Sequence, residues 1–113
     1  MDAEQAVVVL TTLPADADPD ELAAMLVGER LAACVSVMGE MQSIYRWRNE
    51  VERAGERQLI IKTTTACVHA LETRLKGLHP YEVPEFLVLP VATGSAAYLA
   101  WLAESCRSDP AAE

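Results

Sequence analysis

The sequence predicts an α+β, ferredoxin-like subunit: β-α-β-β-α-β, with an extra C-terminal helix and a long projecting β-hairpin. Three observations lead there. Apolar, β-branched runs alternate with amphipathic helical stretches in that order. The helical stretches open on recognisable caps. The span from Ala33 to Lys62 reads as two strands longer than a small sheet needs.

The elements follow in order. "AVVVLTT" is a continuous β-branched run that reads as a strand buried on both faces. In "DPDEL", Asp18 is placed as N-cap, Pro19 in the first turn and Glu21 where a capping box wants it. Leu22, Met25 and Leu26 then share one face of a helix expected to fade near Leu31. Cys34, Ser36 and Met38 alternate with Val35 and Val37, and Ile44 with Tyr45, before "LII" turns apolar again. The hairpin tip is expected near Arg48, Asn49 and Glu50. Thr64 or Thr65 is the candidate cap of a second helix with a buried stripe of Val68, Leu71, Leu75 and Leu78. "EFLVLPV" is a strand that Pro90 assigns to an edge or a bulge, and Ser95 caps a last helix. Right-handed crossovers put the first two helices on one face of a four-stranded sheet. Residues 1–113 make one domain, with a core over 6–106 and a loose tail over 107–113.

The chain of 113 residues carries nine basic and seventeen acidic side chains, a net charge of −8. That balance argues against nucleic acid and anionic membrane surfaces as partners. The N-terminal "MDAEQAVVVL" lacks a basic n-region and a long apolar run, so neither signal peptide nor membrane span is expected. Cys34, Cys67 and Cys106 form no CxxC and no disulfide framework, which favours a reducing cytoplasm.

No nucleophilic triad, phosphate loop or metalloprotease motif is legible, so catalytic residues are assigned to none and the chain reads as a non-enzyme. His69 falls on the polar helix face with Glu72, Thr73 and Lys76. Chemistry concentrates in "LKGLHPYEVPEF". Residues before proline are pushed out of the α region, so His79 and Val83 must be extended and the helix must stop at about Leu78. Pro80 and Pro84 then stiffen a corridor into the last strand. A plain connector and a preorganised binding loop both fit it. The loop holds one imidazole on His79, a phenol on Tyr81 and carboxylates on Glu82 and Glu85.

The stretches "ERLAACVSV", "SIYRWRNEVE", "IIKTT", "HPYEVPEFLVLPV" and "YLAWL" together resemble the CutA family, the divalent-cation tolerance proteins, over about residues 6 to 104. The resemblance implies a ferredoxin-like subunit, a tight homotrimer, an architecture similar to PII signalling proteins, and a link to copper and other divalent metals. In bacterial members with a proposed copper site, a cysteine ends the first strand and two histidines precede Pro-Tyr. Thr11 and Leu78 stand at two of those positions here, and only His79 remains.

Two functions are therefore expected. The first is a cytoplasmic homotrimer of metal homeostasis that binds Cu or Zn weakly through His79, with Cys34 as a further ligand, and requires no cofactor. The second is a PII-like module with inter-subunit clefts for a small polar or anionic ligand, lined by Lys62, Tyr81, Glu82 and Glu85. In both, Tyr45 and Trp47 on the projecting ribbon form the trimer interface, because an aromatic ribbon with free edges needs a partner.

Overall fold

A computed structural model describes residues 4–107. Most of the expected loose tail, from residue 108 onward, lies outside the described residues. Strands β1 (Ala6–Pro14), β2 (Cys34–Trp47), β3 (Glu50–Thr64) and β4 (Leu87–Pro90) form one sheet in the order β2-β3-β1-β4. Every neighbouring pair is antiparallel. Helices α1 (Pro19–Gly28), α2 (Val68–Leu78) and α3 (Ala96–Ser105) complete it. Leu22 and Leu26 of α1 share a core with Leu71 and Leu75 of α2, against Val7, Val9, Leu13, Leu59 and Ile61 of the sheet. Both crossover helices therefore cover one face, as the ferredoxin-like topology requires.

Burial along β1 follows the strand period. Val7, Val9, Thr11 and Leu13 are closed under the helices, whereas Val8 and Leu10 are only half-buried. The expectation of burial on both faces holds on one side within the chain. The register places Leu89 beside Val8 and Leu87 beside Leu10 on the other side, and these two leucines are 46% and 53% exposed. β4 is an edge strand four residues long, and Pro90 sits in it where no further ladder bond is needed.

Asp18 caps α1 as expected: its Oδ1 accepts from the amides of Asp20 (3.1 Å) and Glu21 (3.2 Å). The helix stops at Gly28, earlier than Leu31. Leu31 N–H returns to Leu26 O and Arg30 N–H to Val27 O, each at 3.0 Å, with Arg30 at φ 61°. This is a Schellman ending in which arginine occupies the left-handed position that glycine usually takes. α2 departs from expectation twice. A 3₁₀ turn over Thr65–Cys67 precedes it, so its N-cap position falls to Cys67, which makes no side-chain cap bond, and Thr64 caps the 3₁₀ turn without one. Its stripe narrows to Leu71 and Leu75, with Val68 partly buried and Leu78 37% exposed. Ser95 caps α3 by accepting from Tyr98 N at 3.3 Å. Leu102 and Cys106 then close a smaller cluster with Ala6 and Ala33.

The hairpin projects. The chain measures 47 × 30 × 23 Å with a radius of gyration of 15.0 Å, against about 13 Å for a compact chain of this length. Its tip is the two-residue turn Arg48–Asn49, both at positive φ, with Trp47 facing Glu50. Between Val37 and Glu40, β2 gains one residue on β3. This bulge sets Met41, Ser43, Tyr45 and Trp47 on the side of Glu56 and Gln58, away from the α1/α2 core.

Among the described residues, Thr11 Oγ1, on a fully buried residue of the core, lacks a hydrogen-bond partner. Thr11→Val keeps the shape and removes the unsatisfied hydroxyl, so it raises stability by about 1–2 kcal/mol in denaturant unfolding.

Candidate functional site

Pro80 prevents α2 from continuing, and His79 leaves the helix at φ −80°, ψ 136°. Its ring is carried back over β1. Nε2 lies 2.6 Å from Thr12 O, and Nδ1 accepts the Tyr81 amide at 3.1 Å. Because Nδ1 is an acceptor, Nε2 carries the proton and donates to Thr12. The ring is buried and packs 4.8 Å from the Tyr81 ring. Tyr81 in turn donates its hydroxyl to Glu56 Oε2 on β3 at 2.9 Å.

Two further ties hold the rest of the loop. Gln58 Nε2 donates to Thr11 O (2.7 Å) and to Glu85 Oε2 (2.9 Å). Arg48, from the hairpin tip, meets Glu82 Oε2 at 3.0 Å. That last pair is exposed at both ends and stabilises little. The loop is thus both of the things the sequence allowed, a stiff connector and one wall of a cleft. The cleft, of about 700 Å³, lies between the outer hairpin and residues 80–85. Met41, Tyr45 and Trp47 line the hairpin side, Tyr81, Glu82 and Glu85 the loop side, and Glu56 and Gln58 the floor.

The structure brings together only part of the expected set. Tyr81, Glu82 and Glu85 share the cleft with Tyr45 and Trp47. Lys62 does not belong to it. Lys62 pairs with Cys34 and with Val8, four rungs from the Thr12–Gln58 pair, about 13 Å along the strand. Its Nζ lies 3.5 Å from Ser36 Oγ and 3.9 Å from Cys34 Sγ. The same rungs separate Cys34 from His79, so within one chain the two do not form a joint metal site. Both His79 nitrogens are engaged, and no group of three His, Cys, Asp or Glu side chains among the described residues is placed to hold a metal. A resident metal therefore does not fit these residues as they stand.

Glu56 and Gln58 are the residues that sequence reasoning missed. Their only signal in the sequence is a two-residue spacing on the strand side shared with Ile60 and Lys62. Burial and its contact with Glu56 push the Tyr81 phenol up to about 12.

A model of the CutA1 divalent ion tolerance protein family matches residues 7–105. This chain belongs to the CutA family. The divalent-cation tolerance protein CutA of Thermus thermophilus is 48% identical over 98 residues, covering 87% of this chain and 95% of the relative. That of Pectobacterium atrosepticum is 47% identical over 102 residues, covering 90% and 93%. Among solved structures, CutA1 from Oryza sativa superposes with a TM-score of 0.87 at 37% identity, over 93% of this chain and 96% of the other. A protein from Archaeoglobus fulgidus described as periplasmic superposes at 0.85 with 25% identity, over 90% and 99%. The family's ferredoxin-like fold is the fold built above.

Two outcomes check the loop's chemistry. The folded Tyr81 pKa lies above its unfolded value of about 10, so its stabilisation is complete below pH 10. It is lost as pH rises through about 12. Phenolate absorbance shows a step near pH 12 that Tyr81→Phe removes, together with the stability loss in that window. Separately, His79→Ala strands the Thr12 carbonyl and the Tyr81 amide, costing about 2–3 kcal/mol in chelator-treated protein, measured by denaturant unfolding.

Proposed function

We propose that this CutA-family chain works as a cytoplasmic homotrimer in divalent-cation tolerance, binding Cu²⁺ or Zn²⁺ weakly, with no resident cofactor and no catalytic step. One observation carries the assembly: apolar surface left open on the sheet side away from α1 and α2. Leu87 and Leu89 are about half exposed there, and Tyr45 and Trp47 on the same side of the hairpin are 44% and 39% exposed. A ribbon and a sheet face of this kind in water favour burial against copies of the chain.

Weak metal uptake follows from the donors. A metal at His79 must displace either the Thr12 or the Tyr81 hydrogen bond. Thr11 and Leu78 add no soft ligand beside it. The cytoplasmic assignment is supported by three free thiols, on Cys34, Cys67 and Cys106. Because the Archaeoglobus relative is described as periplasmic, cell fractionation of the tagged chain is the direct check.

A second reading is favoured by the cleft itself. The chain also acts as a small-ligand module through Tyr81, Glu82 and Glu85. Glu56, Glu82 and Glu85 line the cleft, and Arg48 offsets only Glu82 at its rim, an arrangement that favours polar over anionic ligands.

Light scattering with gel filtration reports three times the 12.3 kDa chain mass at micromolar concentration. Tyr45→Ala with Trp47→Ala shifts the protein toward smaller species and lowers its melting temperature. A well-folded wild-type monomer refutes the assembly. Calorimetry shows weak Cu²⁺ and Zn²⁺ binding that His79→Ala abolishes; tight binding that survives the substitution moves the site to Cys34 or Cys67.

A further inference from the structure

We propose that Cys67 and Cys106 close a reversible disulfide when a peroxide reaches them, tying the end of α3 to the start of α2. The inference stands apart from the cleft and from His79.

Two of the three thiols meet although 39 positions separate them. Cys67 Sγ lies 3.7 Å from Cys106 O, and the two thiols are within hydrogen-bonding contact of each other. Cys67 also packs against the small cluster that Cys106 forms with Ala6, Ala33 and Leu102. Cys34 takes no part, since its Sγ faces Ser36 Oγ and Lys62 Nζ, each at 3.9 Å. The partners stand at helix ends, Cys67 at the N-cap position of α2 and Cys106 at the C-cap position of α3. A disulfide demands a specific placement of Cβ and sulfur, and a helix end can shift to meet it while the helix interior stays intact. The end of α1 joins the same junction. Cys67 Sγ lies 3.6 Å from Arg30 O, and Arg30 Nη1 lies 3.4 Å from Ser105 O.

The surroundings give the two thiols different tasks. Cys106 is only 9% exposed, with Thr63 Oγ1 3.6 Å from its sulfur. Thr63 commits its hydroxyl proton to Leu31 O at 2.8 Å, so Cys106 donates in that contact. Burial pushes the Cys106 thiol up, so it keeps its proton. Cys67 is half-buried beside the exposed Arg30 and meets the oxidant first. Its sulfur takes one peroxide oxygen and becomes a sulfenic acid, while the other oxygen leaves as water. The Cys106 sulfur then attacks the Cys67 sulfur. The S–S bond forms, the S–O bond breaks, and the Cys106 proton departs with the hydroxyl as a second water. Each sulfur loses one electron and the peroxide is reduced to two waters. A small reduced thiol reopens the bond by exchange. While closed, the bond clamps α3 to the rest of the subunit and restricts the unfolded chain.

The experiment uses the full-length reduced protein and hydrogen peroxide. After the peroxide is quenched, the chain is unfolded in maleimide and its free thiols are counted by intact mass. One thiol is expected in place of three, and peptide mapping without reductant joins Cys67 to Cys106 within one chain. The melting temperature of the linked protein rises by about 5 °C or more, and dithiothreitol reverses both changes. In Cys106→Ser, dimedone traps a sulfenic acid on Cys67. In Cys67→Ser, Cys106 keeps its thiol at the same peroxide dose. Cys34→Ser links as the wild type does, which separates the pair from any general oxidation. Three remaining thiols, a bond to Cys34 or between chains, or a melting temperature unchanged by the bond overturns the proposal. Sulfenic acid first on Cys106 overturns the order of the two steps.

Discussion

The His79 ring bridges the Thr12 carbonyl and the Tyr81 amide, and the far end of the sheet is organised around that bridge. Pro80 makes it available by expelling His79 from α2. The ring then returns the chain to a central strand, so the loop approaches the sheet at one angle. Tyr81 is thereby aimed at Glu56, and Glu85 comes within reach of Gln58. The imidazole thus performs two tasks: it seats the loop on β1 and orients Tyr81, which lines the cleft. The engagement of both ring nitrogens also explains why the residue is a poor soft-metal donor as it stands. A nitrogen that holds the fold has no lone pair to offer until the fold yields.

The two sides of the sheet have different characters. Under α1 and α2 the packing is largely apolar, and there the hydroxyl of the buried Thr11 has no hydrogen-bond partner among the described residues. The opposite side is graded. Apolar residues of β1 and β4 occupy one end, Cys34, Ser36 and Lys62 meet on β2 and β3, and carboxylates and aromatics gather toward the hairpin. The bidentate Arg74–Glu29 pair, at 2.9 and 2.8 Å, ties α2 to the end of α1 on the covered side. It holds the Glu29 carboxyl below the usual carboxylate range.

Much of the architecture was legible because its determinants are local. Asp18, Pro19, Ser95 and the His79–Pro80 step act within one turn of themselves, and each did what its type dictates. What escaped notice depends on contacts between distant residues. The early end of α1 needs Leu31 to return to Leu26 through an arginine in a left-handed conformation, which composition does not announce. The separation of Lys62 and Cys34 from His79 follows from register, and register is a property of paired strands. Glu56 became informative only once Tyr81 was seen to touch it. Tyr81, Glu82 and Glu85 were legible as a group because the prolines hold them in one short rigid stretch.

The extra residue between Val37 and Glu40 works as a phase shifter. In a strand, side chains are written in a binary code of up and down, and a single insertion inverts every bit that follows it. Upstream, the code belongs to the subunit's own core, where Val35 and Val37 lie against the helices. Downstream, it belongs to the outside world, and the inversion delivers Tyr45 and Trp47 to the cleft. Interior and exterior are thereby separable instructions on one continuous strand. A lineage could rewrite the reach or chemistry of the outer ribbon without editing the inner half. The loss of one residue at the junction would exchange the aromatic face for the one bearing Ile44 and Arg46.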